Sequence, residues 1–207
     1  MKIIIVGANG QLGRSIIRYA NSNIKMYTFT KDELDVLNNS LLEKTIKKIQ
    51  PHYLINCSAY TDVNKAEDEI ILSNLLNSEL LEHLSFFSNK YNFSLIHFST
   101  DYVFDGKKKN YIEFDIKNPL NQYGLSKSNG EDHIIQISKN FLIIRVSSLF
   151  SPFGKNFVKV ILKKFKEVND LKIVNDQFSK PTNAIDLSNF LWNNIIHKKL
   201  TNINEVF

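Results

Sequence analysis

The chain has 207 residues, 43% hydrophobic and 23% charged, enough to bury a core as one domain or one domain with a small appendage. No apolar run approaches the ~18 residues that cross a bilayer, and the single cysteine, Cys57, excludes an internal disulfide and suits a reducing cytoplasm, the location expected here. The net charge of +5 comes with only three arginines and one tight basic run at 107–109, unaccompanied by an aromatic groove motif. That pattern speaks against nucleic acid and for anionic small molecules such as dinucleotides and sugar nucleotides.

The predicted elements alternate along the chain. Strands are expected at "KIIIV" (2–6), "KMYTF" (25–29), "YLINC" (53–57), "SLIHF" (94–98), "FLIIRV" (141–146) and "LKIV" (171–174). Most are continuous apolar runs, the signature of strands covered on both faces. Helices are expected at 11–21, 39–49, about 70–91, 122–139 and 156–168; "NDQFSKPT" (175–182) reads as a loop entering a last helix at about 184–197. Val206 and Phe207 look like the start of a further strand. The alternation predicts right-handed crossovers and an α/β fold with a doubly wound parallel sheet.

The first strand runs straight into "GANGQLG", with Gly7, Gly10 and Gly13 spaced Gly-x-x-Gly-x-x-Gly. The first glycine permits a tight turn, the second the approach of a pyrophosphate, the third close packing of helix on sheet. The helix then offers amide donors and the positive end of its dipole. After the second strand, Lys31 could pair with a ribose 2′-phosphate or be a solvated turn lysine, so NADPH is favoured with NADH as the alternative. Asp35 could reach an adenine amino group or cap the following helix. "NCSAYTDVNKAE" (56–67) ends the third strand in small residues that suit close passage of a ligand, although Cys57 reads as core packing. "FSTDYVFDG" (98–106) puts Thr100 and Asp101 at the carboxyl edge of the sheet, where such folds bind ligands.

In "NPLNQYGLSK", Tyr123 and Lys127 lie four apart and share a helix face. A free phenol titrates near ~10. A lysine cation beside it stabilises the phenolate and pulls that value toward the working range. Thr100 could share a carbonyl oxygen with the phenol while hydride arrives from the other side. The histidines at 52, 83, 97, 133 and 197 form no ligand spacing, so no metal is expected, and His97, inside a strand, reads as packing.

"GANGQLG", "NCSAYTDVNKAE", "FSTDYVFDG", "NPLNQYGLSK", "NFVKVILK" and "NDQFSKPT" occur in the order found in dTDP-4-dehydrorhamnose reductases, which belong to the extended short-chain dehydrogenase/reductases, and the sequence resembles that family over nearly its whole length. The resemblance implies a Rossmann core binding NAD(P)H at 1–147. It also implies a small substrate-binding region at 148–207, interleaved with the last strands and shorter than the family's. It implies reduction of the 4-keto group of a nucleotide-linked 6-deoxy sugar for surface polysaccharide, with Tyr123 as proton donor, Lys127 on the nicotinamide ribose and Thr100 tuning the reacting oxygen. Gly10, Gln11 and Leu12 would touch the pyrophosphate, Asp35 and Val36 the adenine, and Ala59, Tyr60 and Thr61 the rest of the cleft. Thr100 and Asp101 would meet the sugar. Ser148 stands where the family usually has Trp against the sugar, and Asn64 replaces a usual Asp. No membrane partner is expected, and a homodimer stays open. Three alternatives stand beside the reductase: a catalytically silent NAD(P)- or nucleotide-sugar-binding regulatory protein, a truncated product, and a related epimerase or dehydratase.

Overall fold

The computed structural model describes residues 1–20, 24–167, 170, 173, 175, 177–200 and 203–207. The strands are β1 (Lys2–Val6), β2 (Lys25–Phe29), β3 (Tyr53–Asn56), β4 (Ser94–Thr100), β5 (Phe141–Val146) and β6 (Glu205–Val206). They form one parallel sheet in the order β2-β1-β3-β4-β5-β6. The expected strand at 171–174 falls, apart from exposed Ile173, outside the described residues. The strand anticipated at Val206 forms, pairing Val206 with Ile143 at the sheet edge.

Alternation along each strand splits the apolar residues between two cores. Ile3, Ile5, Ile55, Ile96 and Leu142 face Leu12 and Ile16 of α1 (Gln11–Arg18) and Leu187 of α7 (Ala184–Phe190). Trp192 follows α7 in a π-helical continuation, Leu191–Ile196, and its indole N–H donates to Ile16 O at 2.9 Å. On the other face, Ile4, Val6, Leu54, Leu95 and Ile143 meet α2 (Asn39–Ile49), α4 (Leu80–Tyr91) and α5 (Gln122–Ile137). Each fully buried Ile or Leu is worth roughly 1.5–3 kcal/mol, so the two cores together fix the sheet between its helices.

The helix expected over about 70–91 is continuous but changes pitch. It runs as α3 (Ile70–Asn74), a π turn at Leu75–Glu79, and α4. Helix α6 (Phe157–Lys164) starts from Asn156, whose Oδ1 accepts from the Lys159 amide. Among the described residues no helix is long and apolar enough to cross a membrane.

Candidate active site

The sheet's order reverses between β1 and β3: β1 leads to β2 on one side and has β3 on the other. In such sheets the carboxyl ends diverge there and leave a crevice. At the end of β1, Gly7 takes φ +73°, and a Cβ there would lie 2.6 Å from the carbonyl carbon of Cys57. Only glycine meets both demands. A Cβ on Gly13 would lie 2.4 Å from Gly7 O, so helix and turn are tightly packed. Gly10 is the exposed N-cap residue of α1, and among the described residues no side chain caps that helix. Its first amides are left for an external acceptor, and the cradle of glycine backbone fits a dinucleotide diphosphate.

Around this turn the expected contact residues sit in different ways. The Leu12 side chain is core, so only its backbone can reach a ligand. Gln11 points toward the segment after β5: its Nε2 donates to Leu149 O at 3.2 Å, and its Oε1 accepts from Ser151 and Asn156 at 3.4 Å each. Lys31 is exposed beyond the end of β2. Asp35 is exposed and its carboxylate accepts from the Leu37 amide, whereas the cap of α2 is Asn38, accepting from Leu41. The alternative of Asp35 as helix cap is thereby corrected; three residues further on, Asn38 precedes the helix directly. Val36 is buried among the core residues.

Beyond β3, Ala59 is half-buried and Thr61 exposed. Tyr60 is clamped by Asn77, whose amide takes the Tyr60 N–H at 2.9 Å and gives a hydrogen bond to Tyr60 O at 3.0 Å. Asn77 lies in the π turn, so the irregular pitch of that helix coincides with its grip on the crevice wall.

Thr100 ends β4 and its Oγ1 caps the 3-10 turn Asp101–Val103, accepting from the Tyr102 amide at 3.2 Å. Helix α5 begins after Asn121, whose Oδ1 accepts from Gly124 N at 2.7 Å. A Cβ on Gly124 would strike Tyr102 O at 2.2 Å, so this glycine lets α5 set Tyr123 against the Thr100 turn. The Tyr102 and Tyr123 rings meet edge to face at 5.7 Å. Burial pushes the Tyr123 phenol up to about 12; the Thr100 hydroxyl draws it down, while Asp101 and Tyr102 add to the rise. The sequence expectation was a lowered phenol, and the difference has a geometric cause in where the lysine points.

Lys127 is 1% exposed and turned inward. Its Nζ lies 2.9 Å from His97 Nε2 and donates to Phe98 O at 2.7 Å. Burial brings the amine down to about 7, partly opposed by Glu131 one turn further along α5. His97 is buried in the core, in keeping with the packing role read from its strand position, and in addition it joins Lys127 to Asn56, whose Nδ2 is 3.3 Å from His97 Nδ1. The signal available in the sequence was one imidazole in an otherwise apolar, doubly covered strand, which must find partners.

Glu131 is buried and held by Arg145 of β5 through two hydrogen bonds, at 2.9 and 2.7 Å. On the sugar side of the expected site, Asp101 accepts from Ser147 Oγ at 2.5 Å, and Ser147 also pairs with Thr182 of the "NDQFSKPT" loop. Ser148 is exposed at φ +44° and its hydroxyl meets Ser179 at 3.0 Å. The structure thus gathers Gly7, Gly10, Ala59, Thr100, Tyr123 and Lys127 along the carboxyl edge, with Ser147 and Thr182 as partners that the motifs alone did not single out.

Sheet order and crevice define a Rossmann-like α/β protein. Residues 1–207 match the family model described as "RmlD substrate binding domain". The chain belongs to that family. It is 37% identical over 193 residues to the dTDP-4-dehydrorhamnose reductase of Aggregatibacter actinomycetemcomitans, covering 92% of this chain and 66% of that protein. A Burkholderia thailandensis protein of the same name is 36% identical over 88% of this chain and 61% of its own length. The chain therefore spans a little under two thirds of these relatives. A crystal structure of dTDP-4-dehydrorhamnose reductase from Bacillus anthracis in complex with NADP superposes with a TM-score of 0.94 at 35% identity, covering 100% of this chain and 73% of the other.

Proposed function

We propose that this chain carries the reductase site of a dTDP-4-dehydrorhamnose reductase, reducing the 4-keto group of a nucleotide-linked 6-deoxy sugar for surface polysaccharide with NADPH as donor. The observation that carries the reading is the Thr100 hydroxyl acting on the buried Tyr123 phenol at the carboxyl edge of the sheet, the same edge on which β1 turns at Gly7. The names of the relatives and the NADP in the B. anthracis structure support it.

The bound cofactor would supply hydride. Tyr123 stays protonated throughout the working pH range, since its phenol is raised to about 12, and so keeps a proton to give to the keto oxygen. In this reading Thr100 offers its hydroxyl to the same oxygen, and Lys127, one helical turn from the phenol and turned into the core in this structure, is assigned to a ribose hydroxyl of the bound cofactor. Gln11 and Leu12 offer backbone amides to the pyrophosphate and Gly10, whose own amide donates to Gly7 O, lets it approach closely; Lys31 offers a cation to a 2′-phosphate, and Asp35 and Val36 the adenine end. Ala59, Tyr60 and Thr61 form the far wall. Asp101 and Ser148 meet the sugar, and residues 148–207 supply the sugar side of the site, with 1–147 as the cofactor core. A cytoplasmic location and a homodimer complete the reading.

The test is consumption of NADPH by the purified chain with dTDP-4-dehydrorhamnose. Turnover is expected, with a loss of at least roughly 100-fold in kcat for Tyr123→Phe at unchanged cofactor affinity. Equal turnover by Tyr123→Phe refutes the assignment; cofactor binding with no turnover in either chain favours a silent nucleotide-binding protein.

A further inference from the structure

The hydrogen-bond polarity around Lys127 determines more than its position. Asn56 Oδ1 accepts the Ser58 amide at 2.9 Å, which fixes the side-chain amide with its NH2 toward His97. That NH2 can only donate, so His97 Nδ1 must carry a lone pair and the ring proton must sit on Nε2. The Nε2–H then faces Lys127 Nζ at 2.9 Å. An ammonium has no lone pair to receive it; an amine has one. The amine's own hydrogens remain for Phe98 O and for one further acceptor.

The surrounding charges agree. Among the described residues Lys127 makes no ion pair, and the carboxylate one turn away, Glu131, is taken by Arg145 from β5 and by Lys117 at 3.5 Å. The 3-10 turns beside α5 bring Asp101 and Tyr102, which act on Tyr123, and Glu67, which accepts from the Gln122 amide. The helix over 70–91 faces α5 with neutral Ser73 and Asn77, both bonded to Ser126, and with Ser88.

We infer that Asn56 and His97 are positioning residues forming a tautomer lock, which holds the Lys127 side-chain nitrogen as a neutral hydrogen-bond acceptor turned into the core. Protonation of Lys127 breaks its bond to Nε2–H unless the imidazole changes tautomer, and Asn56 opposes that change. Proton uptake by Lys127 and loss of its bond from Nε2–H are thus one event. The inference deepens the reductase reading and rests on it for its catalytic meaning.

The test uses the whole chain without nucleotide or sugar, so it can succeed or fail independently of turnover. Imidazole 15N and lysine ε-13C signals are followed by NMR against pH, with His97→Gln and Lys127→Met as assignment controls. The wild type is expected to give His97 with a bare Nδ1 and a protonated Nε2, and one lysine titrating near neutrality. In Asn56→Asp the carboxylate accepts from both Ser58 N–H and Nδ1–H, so the tautomer reverses. The lysine midpoint then rises by at least about one pH unit, a tenfold gain in proton affinity. Asn56→Leu removes the anchor without adding charge and should raise the midpoint by less. A proton on Nδ1 in the wild type, a Lys127 cationic up to the ordinary lysine range, or an Asn56→Asp midpoint that does not move would each overturn the inference. If Asn56→Asp does not fold, the wild-type tautomer and titration decide alone.

Discussion

Replacing Arg145 by Met should be among the most damaging single changes outside the hydroxyl site. Glu131 is fully buried, and Arg145 satisfies both its oxygens. Without the guanidinium, Lys117 at 3.5 Å and the Ser99 hydroxyl are what remain beside that carboxylate among the described residues. Removing one partner of such a buried pair leaves an uncompensated charge and costs about 3–5 kcal/mol. Arg145 also donates to Glu113 O and lies 5.0 Å over the Phe104 ring, so the 104–118 loop loses an anchor as well. Against a total stability of roughly 5–15 kcal/mol this is a large share. With a urea m-value of about 2 kcal/mol per M, the unfolding midpoint should fall by roughly 2 M. Adding Glu131→Leu should recover most of the loss, because an apolar pair of similar volume replaces the stranded charge. The pH dependence follows from the same geometry. Burial alone would raise the Glu131 carboxyl, but Arg145 and its other partners hold it below its ordinary value. The stabilisation is therefore complete above the unfolded value and is lost as pH falls through the folded one, so wild type and Arg145→Met should converge on acidification. A loss below about 1 kcal/mol, or no recovery in the double variant, would refute the reasoning.

Other expectations follow from single features. Burial lowers the Lys127 amine to about 7, so the unfolded chain binds more protons between there and the ordinary lysine range. Stability relative to Lys127→Met should then rise with pH across that window, by up to about 1.4 kcal/mol per unit, and a flat difference would contradict it. A Cβ on Gly130 would sit 2.0 Å from Asn77 O and 2.5 Å from Leu81, so Gly130→Ala should cost about 1–3 kcal/mol by thermal unfolding; an unchanged Tm would mean that α5 does not press on the π turn. Lys31→Ala should weaken NADPH binding about fivefold and leave NADH unchanged in a fluorescence titration, whereas equal effects on both would remove Lys31 from the 2′-phosphate.

Much of this protein was legible in one dimension. The first five strands, most helix starts, the glycine turn and the shared face of Tyr123 and Lys127 follow from period, apolar content and the steric habits of glycine, all of which act within a few residues. The family motifs added the order of the sheet-edge residues. Tertiary structure alone decided the direction of the Lys127 side chain and the burial that lowers its amine. Its partners come from β4 and, through His97, from β3, and the burial that lowers its amine exists only once those strands pack under α5. For the same reason a phenol expected to be lowered by a cation is instead raised by burial. The π turn at Leu75–Glu79, the tie from Gln11 to Ser151 and Asn156, and the buried Glu131–Arg145 pair also join residues far apart in the chain. Local periodicity encodes which face a residue occupies; it carries no record of what the opposite element places there.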